Sequence, residues 1–218
     1  MKSYENRTGV TLIEMLIVVA IIVILTTMVV GIAGRIDNQS KEQLTKSTFG
    51  ILTAALRQFG DYKYNYMPPY SEFDFPLDCA FFNDGGLETT LRIALGASTA
   101  VISSGAPDPT FSFSSGEAMY FFLSQVPECR KTLDRIDESL ITNLGFDQQP
   151  RIITITYPSG VPKVYPLFRI IDPWGTTLQY KYYDNTFLDP RSKLTFPVIT
   201  SAGPDKKFGP GDDISSRK

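Results

Sequence analysis

Histidine is absent from all 218 residues of the sequence. A histidine is the base in Ser-His-Asp and Cys-His catalysts and the imidazole ligand of many zinc sites, so its absence excludes those sites. Cysteine is scarce as well, and Cys79 and Cys129 lie far apart, without the spacing of metal ligands. The two can form a disulfide if this part of the chain is exported, and they are unpaired thiols otherwise.

Basic residues form no block, and the formal net charge is only −2. A protein that binds nucleic acid needs clustered lysine and arginine to neutralise a row of phosphates. We therefore expect no nucleic-acid partner. Carboxylate pairs of the kind that a hydrolase uses are present, but the sequence marks none of them out as an acid–base pair.

Charge is nearly absent from residues 10–33, where Glu14 is the one charged side chain. About 20 apolar residues in a helix span a bilayer, and Lys2 and Arg7 favour a cytoplasmic N-terminus. Three interpretations are open: a signal peptide cleaved near Ala33, a plain signal anchor, and a prepilin leader. Only the third gives a use to Glu14, because a carboxylate in a membrane span is costly and usually functional.

The hexapeptide Gly9-Val-Thr-Leu-Ile-Glu14 resembles the processing motif of type IV prepilins and type II secretion pseudopilins. The resemblance implies that a membrane-bound prepilin peptidase cuts between Gly9 and Val10 and methylates the new N-terminus. It also implies that Glu14 pairs with the amine of Val10, in its own chain or in a neighbouring subunit. Such pairing supplies the carboxylate that a buried amine needs. Val10 stands where the family more often has phenylalanine.

The patterns along the chain predict an α+β fold, in which a long N-terminal helix packs on a small C-terminal antiparallel sheet. Apolar residues recur at helical spacing over residues 35–60, and Gly60 is the expected end of the helix. Two helices that separate at Gly31 or Gly34 are the alternative. The expected apolar stripe consists of Leu44, Ile51, Leu52, Ala55, Leu56 and Phe59. The predicted segments are a leader (1–9), transmembrane (10–34) and amphipathic (35–60) halves of the helix, an inserted region (61–150), and the sheet with an acidic loop (151–218).

The inserted region is predicted to be mainly helical, with helices at 87–95, 117–126 and 130–144. Its apolar residues at helical spacing favour packing against the rest of the fold over contact with a partner. Strands are expected at 151–157, 161–171, 178–183 and 195–200. Pro162 and Pro166 favour an edge position for the second strand.

Two further segments resemble the major pseudopilin of type II secretion. The tetrapeptide Asp172-Pro-Trp-Gly175 resembles its Asp-Pro-Trp-Gly segment, although a turn with a packed tryptophan accounts for it as well. The loop at 201–214 resembles the family's calcium loop, whose carboxylates and carbonyls suit a hard cation. The ligands that the resemblance implies are the side chains of Asp205 and Asp212, Asp213 as an auxiliary group, and the carbonyls near Ala202 and Pro210. A solvated acidic turn is the alternative, and Lys206 departs from the glycine that is frequent in the family.

The resemblance as a whole implies a structural subunit and not an enzyme. Such a pseudopilin crosses the bacterial inner membrane once, with its C-terminal domain in the periplasm. After cleavage by the prepilin peptidase, it joins other copies and minor pseudopilins in a filament at an inner-membrane assembly platform. A subunit of a surface type IV pilus is the nearest alternative. An anchored periplasmic enzyme or a calcium-dependent binding module is a more remote one.

Overall fold

The computed structural model describes residues 12–66, 84–108, 113–183, 193–209 and 211–217, and only the backbone of 29–35, 63–66, 183 and 193–195. It confirms the predicted α+β class. In chain order the elements are α1 (Leu12–Tyr66), α2 (Asp84–Ala94), β1 (Thr99–Ser104), α3 (Ser114–Gln125), α4 (Pro127–Leu133), β2 (Ile141–Thr142), β3 (Ile152–Thr156), β4 (Pro162–Pro166), β5 (Arg169–Ile170), β6 (Gln179–Tyr183), β7 (Lys193–Ser201) and β8 (Ile214–Ser215). The chain divides into two compact units, Met1–Lys41 and Glu42–Lys218.

The first unit contains the N-terminal part of α1, whose surface is almost wholly apolar. Its large apolar side chains between residues 12 and 28 are each at least half exposed, from 50% for Val18 to 83% for Leu12. The hydroxyls of Thr26 and Thr27 donate to carbonyls of the preceding turn, at 2.8 Å to Ile22 O and 2.8 Å to Ile24 O. The hydrogen-bond donors of these two hydroxyls are therefore satisfied within α1 itself.

Among the residues that the structure describes, no helix has an apolar stretch of the length that crossing a membrane requires. The predicted span at 10–34 includes residues 10 and 11 and the side chains of 29–34, which lie outside the described part.

In the second unit α1 continues past Gly60, its predicted end, and runs to Tyr66. A glycine inside a helix costs about 1 kcal/mol relative to alanine. Packing outweighs that cost, because Tyr62, two residues beyond Gly60, packs against the larger hydrophobic cluster of the second unit.

The buried stripe of α1 differs from the predicted one at its start. Leu52, Ala55 and Leu56 are fully buried and Phe59 nearly so, as expected, but Leu44 is 41% exposed. Thr45, Thr48 and Phe49 are buried in its place. A pattern of purely apolar residues overlooks threonine, whose hydroxyl can be satisfied within the helix: that of Thr48 donates to Leu44 O at 2.9 Å.

The second unit has two hydrophobic clusters, and α3 contributes to both. Met119 and Leu123 join the stripe of α1 in the main cluster, together with Leu178, Tyr180 and Tyr182, the alternating residues at β6. Ala118 and Phe121 join Leu87, Leu91, Ile153 and Ile155 in the second cluster. These apolar residues of the inserted region thus pack inside the fold, whereas Ile93, Val101 and Phe146 of the same region are exposed.

Three small antiparallel sheets are present in the described part of the chain, with strand orders β1-β3-β4, β2-β5 and β6-β7-β8. The predicted edge position of β4 is confirmed. Strand β1 was not predicted, and it joins the inserted region to the C-terminal strands by pairing with β3. Three of its six residues, Thr99, Val101 and Ile102, are β-branched, and its pairing with β3 supplies the rest of its strand character.

The helix predicted at 130–144 is wrong beyond its first turn. Helix α4 ends at Leu133, and the chain enters β2 at Ile141. The carboxylate of Asp137 accepts the N–H of Ser139 at 2.9 Å and caps a short 3₁₀ turn, Glu138–Leu140. Aspartate at such a cap favours a new start over continuation of the preceding helix.

Candidate functional site

The predicted processing site lies at the N-terminus of α1. Gly9 and Val10 are outside the described residues. Glu14 is in the first turn of α1 and its side chain is exposed.

The Asp-Pro-Trp-Gly segment forms a tight turn that closes on its own aspartate. The N–H of Gly175 donates to Asp172 O at 2.9 Å, and Gly175 has a φ of 92°, which favours glycine. One carboxylate oxygen of Asp172 accepts the N–H of Trp174 at 3.1 Å and that of Thr176 at 2.8 Å. The turn reading is therefore confirmed, and Asp172 is the residue that organises it.

Asp172 also connects this turn to the acidic loop. It is only 2% exposed, and its second carboxylate oxygen accepts the hydroxyl of Ser201 at 2.7 Å. The oxygen of Ser201 in turn accepts the N–H of Gly203 at 3.1 Å. Burial raises the pKa of Asp172, and the hydrogen bonds from Ser201, Thr176 and Trp174 oppose that rise.

Each aspartate of the acidic loop accepts a backbone N–H of the loop itself. Asp212 accepts from Asp205 at 3.1 Å, Asp205 from Lys207 at 2.8 Å, and Asp213 from Gly209 at 3.1 Å. Lys206, the departure from the family's glycine, takes a left-handed φ of 62°. Lys206 thus adopts a backbone conformation that favours glycine and is strained for lysine.

The loop closes tightly where its two ends meet. Gly203 has a φ of 68°, and a Cβ there would lie 2.5 Å from the backbone oxygen of Asp212. Only glycine fits this approach. Ser201 and Ile214 pair just beyond it as β7 and β8.

The oxygen donors of the loop fit a hard cation in part. Asp213 has a buried carboxylate oxygen without a hydrogen-bond partner in the described structure, and Ala202 is buried at the start of the loop. The implied ligand near Pro210 lies outside the described residues. Among those described, however, no three acidic, cysteine or histidine side chains lie close enough to hold a metal. Calcium binding at Asp205, Asp212 and Asp213 stays a prediction.

Two buried arginines, Arg151 and Arg169, form an ionic network that the sequence patterns did not predict. Arg151 is fully buried, and its Nε donates to Glu117 Oε1 at 2.6 Å; Glu117 is fully buried as well. The guanidinium of Arg151 also pairs with Asp84 at 2.7 Å and donates to Gly105 O at 2.8 Å. This one side chain therefore ties α2, α3 and the loop after β1 to β3.

Arg169 is the second cation beside Glu117. It is 5% exposed, it stacks on Phe113 with its Cζ 3.6 Å from the ring centroid, and it donates to Leu144 O at 2.6 Å. Its Nη1 lies 3.7 Å from Glu117 Oε1. Burial lowers the pKa of Arg169 to about 10, against the attraction of Glu117.

A signal for this network was present in the sequence. Glu117 is the one charged residue in a helical segment whose other residues are typical of a buried helix, and Arg151 directly precedes the apolar and threonine residues of β3. Lone charges in such segments indicate buried pairs, because a buried charge requires a partner. The partners themselves lie too far apart in sequence for local patterns to reveal.

The cysteines are placed only in part. The thiol of Cys129 is free and buried, and it donates to Ala55 O at 3.3 Å. Burial raises its pKa to about 11. Cys79 lies outside the described residues, so the disulfide between the two stays a prediction.

One comparison with known proteins identifies the N-terminal segment. Residues 6–30 match the family model described as the prokaryotic N-terminal methylation motif. The match supports the predicted type IV pilin-like prepilin motif, which implies processing by a prepilin peptidase and assembly into a filament. No curated protein and no solved structure matches the chain.

Proposed function

We propose that this chain is a pseudopilin, a structural subunit of a periplasmic filament that drives type II protein secretion. The observation that carries the proposal is the methylation motif over residues 6–30. A pilin-like motif favours a structural subunit over an enzyme. The proposed partners are the prepilin peptidase, other copies of the chain, minor pseudopilins and an inner-membrane assembly platform.

The exposed apolar surface of α1 supports an anchored and then assembled subunit. Burial of each valine, leucine or isoleucine side chain contributes about 1.5–3 kcal/mol. A continuous exposed apolar surface such as that of residues 12–28 marks a contact with membrane or protein. We infer that lipid of the inner membrane covers residues 12–28 before assembly. In the filament, the same helices of neighbouring copies cover them.

Glu14 has a specific role in this proposal. Cleavage after Gly9 leaves a charged amine at Val10, next to the apolar segment. An amine in such surroundings is unfavourable unless a carboxylate pairs with it. Pairing of Glu14 with the amine of a neighbouring copy fixes the axial register of the two helices.

The choice of a secretion filament rests on the C-terminal half. Both the turn at Asp172 and the loop at 201–214 resemble segments of the major pseudopilin, and the structure connects the two through Ser201. We propose calcium as the ligand of the loop, held by Asp205, Asp212 and Asp213 with carbonyls near Ala202 and Pro210. A surface type IV pilus remains the alternative, since its subunits carry the same N-terminal motif.

Mass spectrometry of the mature chain tests the processing step. We expect an N-terminus at Val10 with an added methyl group, and we expect Gly9→Val to leave the leader in place. An N-terminus at Met1 or near Arg35 would overturn the proposal. Loss of protein export without loss of surface pili in a deletion strain distinguishes a secretion filament from a pilus.

The role of Glu14 is tested by Glu14→Val, which we expect to be processed normally and to enter filaments poorly. Glu42→Val is the matched control, because Glu42 is a partly exposed carboxylate of the same helix that pairs locally with Lys46. We expect the control to assemble as well as the unmodified chain. Equal assembly of both variants would show that Glu14 has no such role.

A further inference from the structure

Two hydrogen bonds in series link the buried carboxylate of Asp172 to a peptide group at the start of the acidic loop. The hydroxyl of Ser201 donates to Asp172 Oδ2 at 2.7 Å, and the serine oxygen accepts the N–H of Gly203 at 3.1 Å. Ser201 is fully buried, so water does not compete for either bond. Because the proton of the hydroxyl is committed to Asp172, a lone pair of the serine oxygen is left to face Gly203.

The bond to Gly203 fixes the direction of a carbonyl group. The N–H of Gly203 and the C=O of Ala202 belong to one planar peptide group, and in a trans peptide the two point in opposite directions. The described residues contain no cis peptide bond. Ser201 therefore directs the carbonyl oxygen of Ala202 away from itself. This carbonyl is among the ligands that we propose for calcium.

The same peptide group lies against a second proposed ligand, Asp212. A Cβ on Gly203 would lie 2.5 Å from the backbone oxygen of Asp212 and 3.2 Å from its Oδ2. That Oδ2 accepts the N–H of Asp205 at 3.1 Å. The position of the peptide that Ser201 holds thus limits where the carboxylate of Asp212 can lie.

Asp172 adds a buried negative charge to this series of hydrogen bonds. In the described part of the chain its oxygens accept hydrogen bonds from backbone N–H groups and from Ser201, and no cation pairs with it. Hydrogen bonds in series polarise one another. A carboxylate behind the hydroxyl makes the serine oxygen a stronger acceptor, which draws on the N–H of Gly203. The carbonyl oxygen of Ala202 becomes more negative as a result, and a hard cation prefers such an oxygen.

We propose that Asp172 and Ser201 are positioning residues of the calcium site, which orient and polarise the carbonyl of Ala202 without binding the ion themselves. The inference rests on the proposed function, because it requires that the acidic loop binds calcium. Two observations fit that requirement: the buried Asp213 oxygen that lacks a hydrogen-bond partner in the described structure, and the tight approach at Gly203. Groups that orient the ligands of a metal typically contribute about 10–100-fold to its affinity.

Isothermal titration of the full chain in mild detergent with calcium tests the role of Ser201. Ser201→Ala removes the hydroxyl, and we expect the dissociation constant for calcium to rise by about tenfold or more. Ser216→Ala is the matched control, because Ser216 Oγ also accepts a backbone N–H of β7, that of Ile199 at 2.9 Å. Its hydroxyl lies outside the series of bonds from Asp172 to Gly203. We expect the control to bind calcium as tightly as the unmodified chain.

Asp172→Asn tests the charge separately from the turn. Asparagine keeps an acceptor oxygen for the N–H groups of Trp174 and Thr176, so the turn can form. It has no charge, however, and it offers Ser201 an N–H where the carboxylate offers an oxygen. We expect the affinity for calcium to fall by about tenfold here as well.

Melting temperatures in chelator measure the structural cost of each substitution. A purely structural role of Ser201 would lower the melting temperature and leave the dissociation constant of the folded chain unchanged. Unchanged calcium affinity in either Ser201→Ala or Asp172→Asn would overturn the inference and leave the calcium loop in place, and so would an equal loss of affinity in Ser216→Ala. If Ser201→Ala does not fold, Asp172→Asn decides alone. Absence of calcium binding by the unmodified chain would instead overturn the proposed calcium loop, and the inference with it.

Discussion

Arg151, which directly precedes β3, and Glu117 of α3 form an ion pair with 2.6 Å between Nε and Oε1, and both side chains are fully buried. Asp84, Gly105 O and Arg169 complete the surroundings of this pair. The pair connects elements that are 34 residues apart in sequence. Two cations and two carboxylates balance one another there, so each charge depends on the others for its compensation.

Removal of one partner is expected to be strongly destabilising. Glu117→Ala leaves two buried arginines beside a single carboxylate, and we expect a loss of about 3–5 kcal/mol in the free energy of unfolding. Glu117→Gln keeps the shape and an acceptor oxygen, so its loss should be smaller. Denaturant titration of the full chain in mild detergent, followed by near-ultraviolet circular dichroism, measures both. Glu128→Ala, an exposed acid on α4, is the control, and an equal loss there would contradict the prediction.

The stability of the fold should depend on pH through Asp172. Burial raises its pKa above the ordinary value of 3.8. The folded state therefore binds the proton more tightly than the unfolded state, and the resulting stabilisation is complete below the ordinary pKa. It is lost as the pH rises through the folded-state pKa. We expect the wild type to lose stability relative to Asp172→Asn as the pH rises from about 4, and a difference that is independent of pH would refute this.

We expect Gly105 to tolerate no other residue, because a side chain there would collide with Arg151 and because its positive φ favours glycine. Its φ is 80°, and a Cβ there would lie 2.3 Å from Arg151 Cγ. Gly160 has nearly the same φ, 82°, and nothing within 4 Å of its Cβ position. Gly160→Ala should thus show the backbone strain alone, about 1–2 kcal/mol. Gly105→Ala should add the displacement of Arg151, and its melting temperature should be clearly the lower of the two.

Local patterns predicted the long helix, the alternation of Leu178, Tyr180 and Tyr182, and the edge position of β4. Each of these depends on periodicity or on a single residue type, which are local properties. The patterns did not predict β1, because six residues among helical segments acquire their strand character by pairing with β3, about 50 residues away. The Arg151 network was not predicted for the same reason. Glu117 and Arg151 are 34 residues apart, and the apolar neighbours of Glu117 indicate only a buried helix.

The candidate site shows the same contrast between features that local sequence predicts and features that depend on contacts between distant residues. The turn at Asp172 was recognisable from proline and glycine, whose backbone preferences are intrinsic. Its connection to the acidic loop through Ser201 was not, because Ser201 is one of many serines in the sequence and only tertiary structure selects it. The tight crossing of Gly203 and Asp212 likewise belongs to the pairing of β7 with β8.

Calcium should stabilise the acidic loop if the proposal for it is correct. Asp205, Asp212 and Asp213 lie within nine residues, and Asp213 has a buried oxygen that no hydrogen bond satisfies in the described structure. A bound cation would offset the mutual repulsion of the three carboxylates and satisfy that oxygen.

The melting temperature of the full chain in detergent, measured against calcium concentration, is the test. Extracytoplasmic sites bind calcium at about 0.1–1 mM, and the stabilisation should grow with the logarithm of free calcium above that range. Asp212→Asn should abolish the effect, whereas Asp134→Asn, which changes an exposed acid just after α4, should leave it intact. Magnesium at the same concentration separates specific binding from screening of charge. A melting temperature that neither calcium nor chelator changes would make the loop a solvated acidic turn. In that case the pilin-like N-terminus would stand, but the argument for a secretion filament over a surface pilus would lose one of its two supports.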